Sequence, residues 1–151
     1  MMGPSHRVAG VAAWLAVAET AGLTALPAAA GAVIAAATSH GRLSPDMDRY
    51  PFLGRVIPGG HRGITHWWPV LALFAVLLWT PAPWWIAGAL ATAWGSHILA
   101  DAVFGRVPVW WARGKWECHG LGFKTGGPVE LWLAVPVFTV VAVWLAWKIA
   151  T

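Results

Sequence analysis

The sequence predicts an all-α protein, a polytopic membrane helical bundle of about five main helices forming one domain over residues 1–151. Hydrophobic residues make up 58% of the chain and charged residues only 11%, where an average soluble domain carries roughly 25% charge. The 13 tryptophans suit a membrane–water interface, where an indole sits half in hydrocarbon and its N–H finds a polar partner. Five apolar stretches recur along the chain, separated by proline-, glycine- and charge-bearing intervals.

The first apolar stretch runs from Val8 to about Leu23, interrupted by Glu19. Its length of about 16 residues is a little short of the ~20 that cross a bilayer. Only Arg7 precedes it among charged residues, and it runs on into a second apolar stretch, so it reads as a helix rather than a cleaved leader. Pro27 fits the first turn of the second helix, whose Ala- and Gly-rich sequence suits close packing among other helices. A third helix is expected from about Thr65 to Trp79 and a fourth from Pro83 to about Phe104. The fifth runs from Val129 to about Ile149.

Two polar intervals interrupt this pattern, one between the second and third helices and one over Val107–Pro128. Five alternating helices place the N-terminus and both intervals on one side, with nine of the ten basic residues; Lys148 alone falls on the other. Lys and Arg are enriched in cytoplasmic loops, so the basic side is expected to face the cytoplasm, with the C-terminus outside. The net charge of +4 comes without a basic run, and no nucleic acid is expected as a specific partner. The single cysteine, Cys118, allows no intramolecular disulfide.

The same layout brings the chemistry to the same side. The stretch Ser44–His66 holds Asp46, Asp48, His61 and His66, a concentration in a chain with six acidic residues and six histidines. His6 begins the first helix, His97 and Asp101 lie in the last turns of the fourth, and Glu130 opens the fifth. His97 and Asp101, four apart, share a helix face and can either hold one metal or let Asp101 orient the His97 ring. Mixed imidazole and carboxylate donors favour Zn, with Mn and Fe also suited, over Mg or Ca. Each group alone has an ordinary explanation. An Asp-rich loop after a helix end forms Asx turns, and an intramembrane His–Asp pair can be a packing hydrogen bond. His40 and His119 lack a carboxylate at ligand spacing, and Glu19, toward the opposite face, is expected to pair between helices or reach that interface. Together the aligned residues predict a metal centre of His6, Asp46, Asp48, His61, His66, His97, Asp101 and Glu130, numerous enough for two or three ions.

The blocks Pro45-Asp46-Met47-Asp48, Gly60-His61-Arg62-Gly63-Ile64-Thr65-His66, Ser96-His97-Ile98-Leu99-Ala100-Asp101 and Thr125-Gly126-Gly127-Pro128-Val129-Glu130, with His6 ahead of them, resemble the family of membrane-bound, metal-dependent hydrolases whose best-known bacterial member is under LexA control. The HRGxTH block followed by SHxxxD carries most of the specificity. That family is distantly similar to zinc-dependent phospholipase C and P1-type nucleases, which implies phosphoester hydrolysis. The chain departs from the pattern at Trp67, where serine is common, and at Phe104-Gly105, where Thr-Pro is common. The expected activity is hydrolysis of a lipid or lipid-linked phosphoester by metal-activated water at the cytoplasmic face of a bacterial membrane. Arg62, Asp48 and Asp101 are the expected catalytic residues, Arg62 suiting bidentate grip of a phosphate. Lys124 and a glycine-rich anion nest over GLGFKTGG are lesser candidates. A structural metal site and a metal or proton transporter are the alternatives. The first would favour cysteine ligands and the second polar groups at the bilayer midplane.

Overall fold

The computed structural model describes residues 3–57, 61–79, 83–108, 118–119, 123 and 125–151. Gly60, Arg113, Lys115, Glu117, Lys124 and half of the GLGFKTGG stretch lie outside the described residues. Five main helices form: α1 (Gly3–Thr20), α2 (Ala25–Thr38), α4 (Trp68–Trp79), α5 (Trp84–Phe104) and α6 (Val135–Ala150). A single turn, α3 (Leu53–Val56), and two 3₁₀ turns, Pro45–Arg49 and Ile64–His66, punctuate the interval between α2 and α4. The extended pairing among the described residues is one two-residue antiparallel contact of β1 (Arg106–Val107) with β2 (Cys118–His119).

Helix α1 begins at Gly3, five residues before Val8. Pro4 suits a first helical turn, and Ser5 and His6 are buried with the helix rather than solvated before it. α1 is the central helix, packed against α2, α5 and α6. Trp14 is its hub: fully buried, with Nε1 donating to the Ala28 carbonyl at 2.8 Å. The α2 backbone can come this close because residue 31 is glycine; a Cβ there would lie 2.3 Å from the Trp14 ring. Trp14→Ala is therefore expected to cost ~3–5 kcal/mol, read as a lower melting temperature in detergent. An unchanged melting temperature would remove Trp14 from the centre of the packing.

The last helix opens in an unexpected form, a π-helical stretch over Val129–Ala134 running straight into α6. Pro136, near the start of α6, has no N–H to give and its ring crowds the carbonyl four residues earlier, so the regular ladder cannot pass through it. The Val135 N–H bonds instead to the Glu130 carbonyl, five residues back. Among the described residues two helices are long and apolar enough to cross a bilayer, α5 with 21 residues and the continuous Val129–Ala150 helix with 22. α2 and α4 are shorter apolar helices of 14 and 12 residues, ~21 and ~18 Å long at 1.5 Å per residue, against a hydrocarbon core of ~30 Å. Large apolar residues face outward along the last helix, among them Trp132, Val140 and Trp147. At the end of the bundle away from the polar intervals, Lys148 pairs with Glu19, which is the interhelical role expected of Glu19.

Candidate metal centre

Each buried polar element is carried in by a different stretch of chain. Ser44 caps the 3₁₀ turn Pro45–Arg49 by accepting from the Asp46 N–H at 3.2 Å, which turns Asp46 and Asp48 inward, where both are buried. Arg62 adopts φ 62°, a left-handed conformation uncommon for a residue with a Cβ. In that conformation its N–H donates to Asp48 Oδ2 at 3.0 Å and its side-chain Nε lies 3.0 Å from Asp101 Oδ2. The strain, of order 1–3 kcal/mol, is held by contacts at both ends. Gly105 makes room for the guanidinium, since a Cβ there would sit 2.3 Å from Arg62 Nη1.

Four side chains from three segments meet at the closed end: Asp46, His66, His97 and Asp101, all buried. His66 Nε2 lies 3.6 Å from Asp46 Oδ1 and 3.5 Å from Asp101 Oδ2. His97 Nε2 lies 3.7 Å from Asp46 Oδ1 and 3.8 Å from Asp101 Oδ2. A second group, Asp46, Asp48 and His61, shares Asp46 with the first. His61 Nδ1 is 3.0 Å from Asp48 Oδ1 and 3.8 Å from Asp46 Oδ1. His6 stacks on His97 with ring centroids 3.8 Å apart and places Nε2 3.3 Å from Asp101 Oδ1.

The hydrogen bonds around these rings fix which nitrogen carries a lone pair. His97 Nδ1 lies 2.7 Å from the Ser39 carbonyl; a carbonyl only accepts, so Nδ1 carries a proton, and in the neutral imidazole the lone pair falls on Nε2. The Thr65 hydroxyl donates to Asp48 Oδ2 at 2.7 Å, so its oxygen is left to accept from His66 Nδ1 at 3.0 Å. His66 Nε2 therefore also presents a lone pair. These two nitrogens and Asp46 Oδ1 are buried with no hydrogen-bond partner among the described residues. Three such groups, each costing ~1–3 kcal/mol if left unsatisfied, aim at one space. Donor atoms ~2.0–2.2 Å from a tetrahedral ion stand about 3.3–3.6 Å apart, close to the spacings of 3.5–3.8 Å between Asp46, His66, His97 and Asp101. The residues fit a divalent cation.

Electrostatics agrees. Burial favours the neutral form of Asp46, but the close approach of the His97 and His66 rings outweighs it and holds the carboxyl well below its ordinary range. Asp48 is opposed by burial too, and hydrogen bonds from His61 and Thr65 bring it below its usual value. Burial pushes His66 down despite the neighbouring Asp101 carboxylate. At neutral pH these groups are carboxylates and a neutral imidazole, the forms that bind metals.

Seven of the eight expected ligands, His6, Asp46, Asp48, His61, His66, His97 and Asp101, thus converge. His6 joins at the edge, through Asp101. Glu130 is fully buried and accepts from the Gly126 N–H at 2.8 Å, but it belongs to neither metal-holding group. His40, with Nδ1 3.7 Å from Asp46 Oδ2, stands at the rim. Thr65 and the Ser39 carbonyl were not foreseen. Thr65 lies inside the HRGxTH block, where a hydroxyl next to His66 is a visible signal; a backbone carbonyl leaves no trace in a sequence.

A protein-family model described as YdjM inner membrane protein matches residues 1–150. No curated protein and no solved structure matches significantly.

Proposed function

The chain belongs to the YdjM inner membrane protein family, and from that premise we propose that it is a membrane-bound, metal-dependent hydrolase of a lipid or lipid-linked phosphoester, with its site facing the cytoplasm. The observation that carries the reading is the trio of buried, unpartnered lone pairs on Asp46, His66 and His97. Asp46, His66, His97 and Asp101 would hold one ion, and Asp46, Asp48 and His61 a second, with Asp46 shared. Zn suits the donor set best, Mn and Fe next. Bound there, such ions supply Lewis acidity and an acidified water.

The chain's own residues do the rest. Ser39 and Thr65 hold the rings of His97 and His66 with Nε2 toward the site. Asp48 gathers the Arg62 N–H, the Thr65 hydroxyl and His61 onto one carboxylate, which fixes the loop that carries two ligands. Arg62 sets its guanidinium beside Asp101 at the edge of the cluster, where a planar fork suits the oxygens of a phosphate. The nine-to-one partition of basic residues supports a cytoplasmic orientation. A position at one end of the bundle, rather than mid-bundle, favours hydrolysis at an interface over transport.

Thr65→Val tests the positioning role. It keeps the shape and removes the hydroxyl, so the His66 ring loses its partner while every ligand remains. Metal affinity is expected to fall ~10–100-fold, as is usual when a ligand's orienting partner is lost, with the fold retained by circular dichroism. The reading as a whole is tested by assaying metal-loaded protein on phospholipids, soluble phosphodiesters and amides. Hydrolysis of phosphoesters that stops with chelator is expected. A metal-replete protein inert toward the whole panel, yet destabilised by chelator, would make the metal structural.

A further inference from the structure

Beside the metal centre, a cleft of about 730 Å³ opens between α1, α5 and the Val129–Ala150 helix. Its walls are apolar but for Ser96. The lining on α1 runs from Ala9 to Ala16, on α5 from Ser96 to Phe104, and on the last helix from Leu133 to Val141. Each of its three walls also carries a buried polar residue within one helical turn of the lining. Ala9 lies three residues beyond His6, Phe104 three beyond Asp101, and Leu133 three beyond Glu130, each a rise of about 4.5 Å along its helix. The lining spans 7 to 8 residues on each helix, about 10–12 Å at 1.5 Å per residue, and on α5 it brackets His97 and Asp101.

We propose that this cleft holds an acyl chain of the lipid whose phosphate-bearing head enters the metal centre. The inference rests on the hydrolase reading for its substrate but on the cleft's own geometry for its occupant. A cation-ready cluster within a helical turn of an apolar trough has the polarity of an amphiphile, and two of the three walls are the helices long enough to cross a bilayer. The outer lip is exposed at Leu99 (67%) and Leu133 (60%), so a chain enters sideways from the hydrocarbon without crossing the polar interface. Small side chains make the trough: Ala9, Ala13 and Ala16 on α1 leave a hollow that larger residues would fill. Two other apolar clefts are smaller, one of about 480 Å³ beside Leu15 and Ile149 and one of about 350 Å³ beside Met47 and Trp94.

The test uses the full-length protein in phosphatidylcholine nanodiscs carrying a trace of phosphatidic acid with a diazirine on one acyl chain. After photolysis, labelled peptides are mapped by mass spectrometry, with the outward face of α4 at Leu73 and Val76 as reference for ordinary lipid contact. Labelling of α1, α5 and the last helix is expected to exceed that reference, and to exceed labelling by a diazirine diacylglycerol that lacks the phosphate. Ala13→Phe should cut labelling of the cleft about tenfold, the order of the penalty for forcing extra bulk into a filled apolar space, and leave α4 labelling unchanged. The comparison of the two lipids on wild-type protein needs no variant to fold. Labelling of the cleft no stronger than of α4, or equal labelling by the two lipids, would overturn the proposal. A labelled cleft in a protein that hydrolyses no phosphoester would leave the lipid site standing and end the hydrolase reading. Hydrolysis of a soluble phosphodiester with an unlabelled cleft would do the reverse.

Discussion

Asp46→Ala is expected to abolish metal binding. Asp46 is the residue common to both ligand groups, and its unpartnered Oδ1 lies 3.6 Å from His66 Nε2, 3.7 Å from His97 Nε2 and 3.8 Å from His61 Nδ1. Removing it leaves three imidazoles without the carboxylate between them. The loss should exceed the ~10–100-fold typical of residues that only orient a ligand. A linked stability effect follows, because a metal that binds only the folded chain raises its stability by RT ln(1 + [L]/Kd). Chelator should therefore lower the melting temperature of wild-type protein and leave that of Asp46→Ala unmoved. Replacing His97 should act the same way on metal, with a further loss of packing because its ring stacks on His6. If Asp46→Ala kept its full metal content, the shared-carboxylate centre would be wrong.

Arg62→Ala should separate substrate binding from metal binding. Arginine is always a cation and cannot coordinate a metal, so metal content should stay as in wild type. Hydrogen bonds to charged groups contribute ~1.5–3 kcal/mol each, so kcat/KM for a phosphate-bearing substrate should fall at least about tenfold. Arg62→Lys should recover part of that loss, because the charge survives and the fork does not. Gly105→Ala offers an independent check. Its new Cβ would fall 2.3 Å from Arg62 Nη1, so the guanidinium must move although Arg62 itself is intact. The expected result is a loss of phosphoester hydrolysis in the direction of Arg62→Ala, again with metal retained. Wild-type kcat/KM in both variants would show that the guanidinium touches no substrate.

Helix number and order were legible in the sequence because long apolar runs between polar intervals dominate it. The third and fourth helices fall within a few residues of their expected bounds. The start of α1 was not, since Ser5 and His6 are polar and their burial depends on neighbours distant in sequence. Nor was the π-helical stretch, although Pro136 was visible, because where a broken ladder widens depends on what the freed groups can reach. The convergence of the ligands could be read because helix alternation alone decides which ends lie together. What it could not supply was the division of labour. The sequence makes Asp48 an ordinary ligand, whereas its carboxylate already receives bonds from Arg62, Thr65 and His61. Nor does the sequence show that Asp101 orients the Arg62 guanidinium. Gly105, a departure from the family pattern, acquires a reason only once the guanidinium is seen against it.

The most direct test of the central claim is the metal content of full-length protein purified without chelator and then loaded separately with Zn, Mn and Fe(II) at neutral pH. Two groups sharing Asp46 predict about two ions per chain, as in centres whose ions stand ~3.5–4 Å apart, with Zn held most tightly and His66→Ala and His97→Ala depleted. Protein that is folded, yet binds none of the three metals beyond the level of those variants, would contradict it.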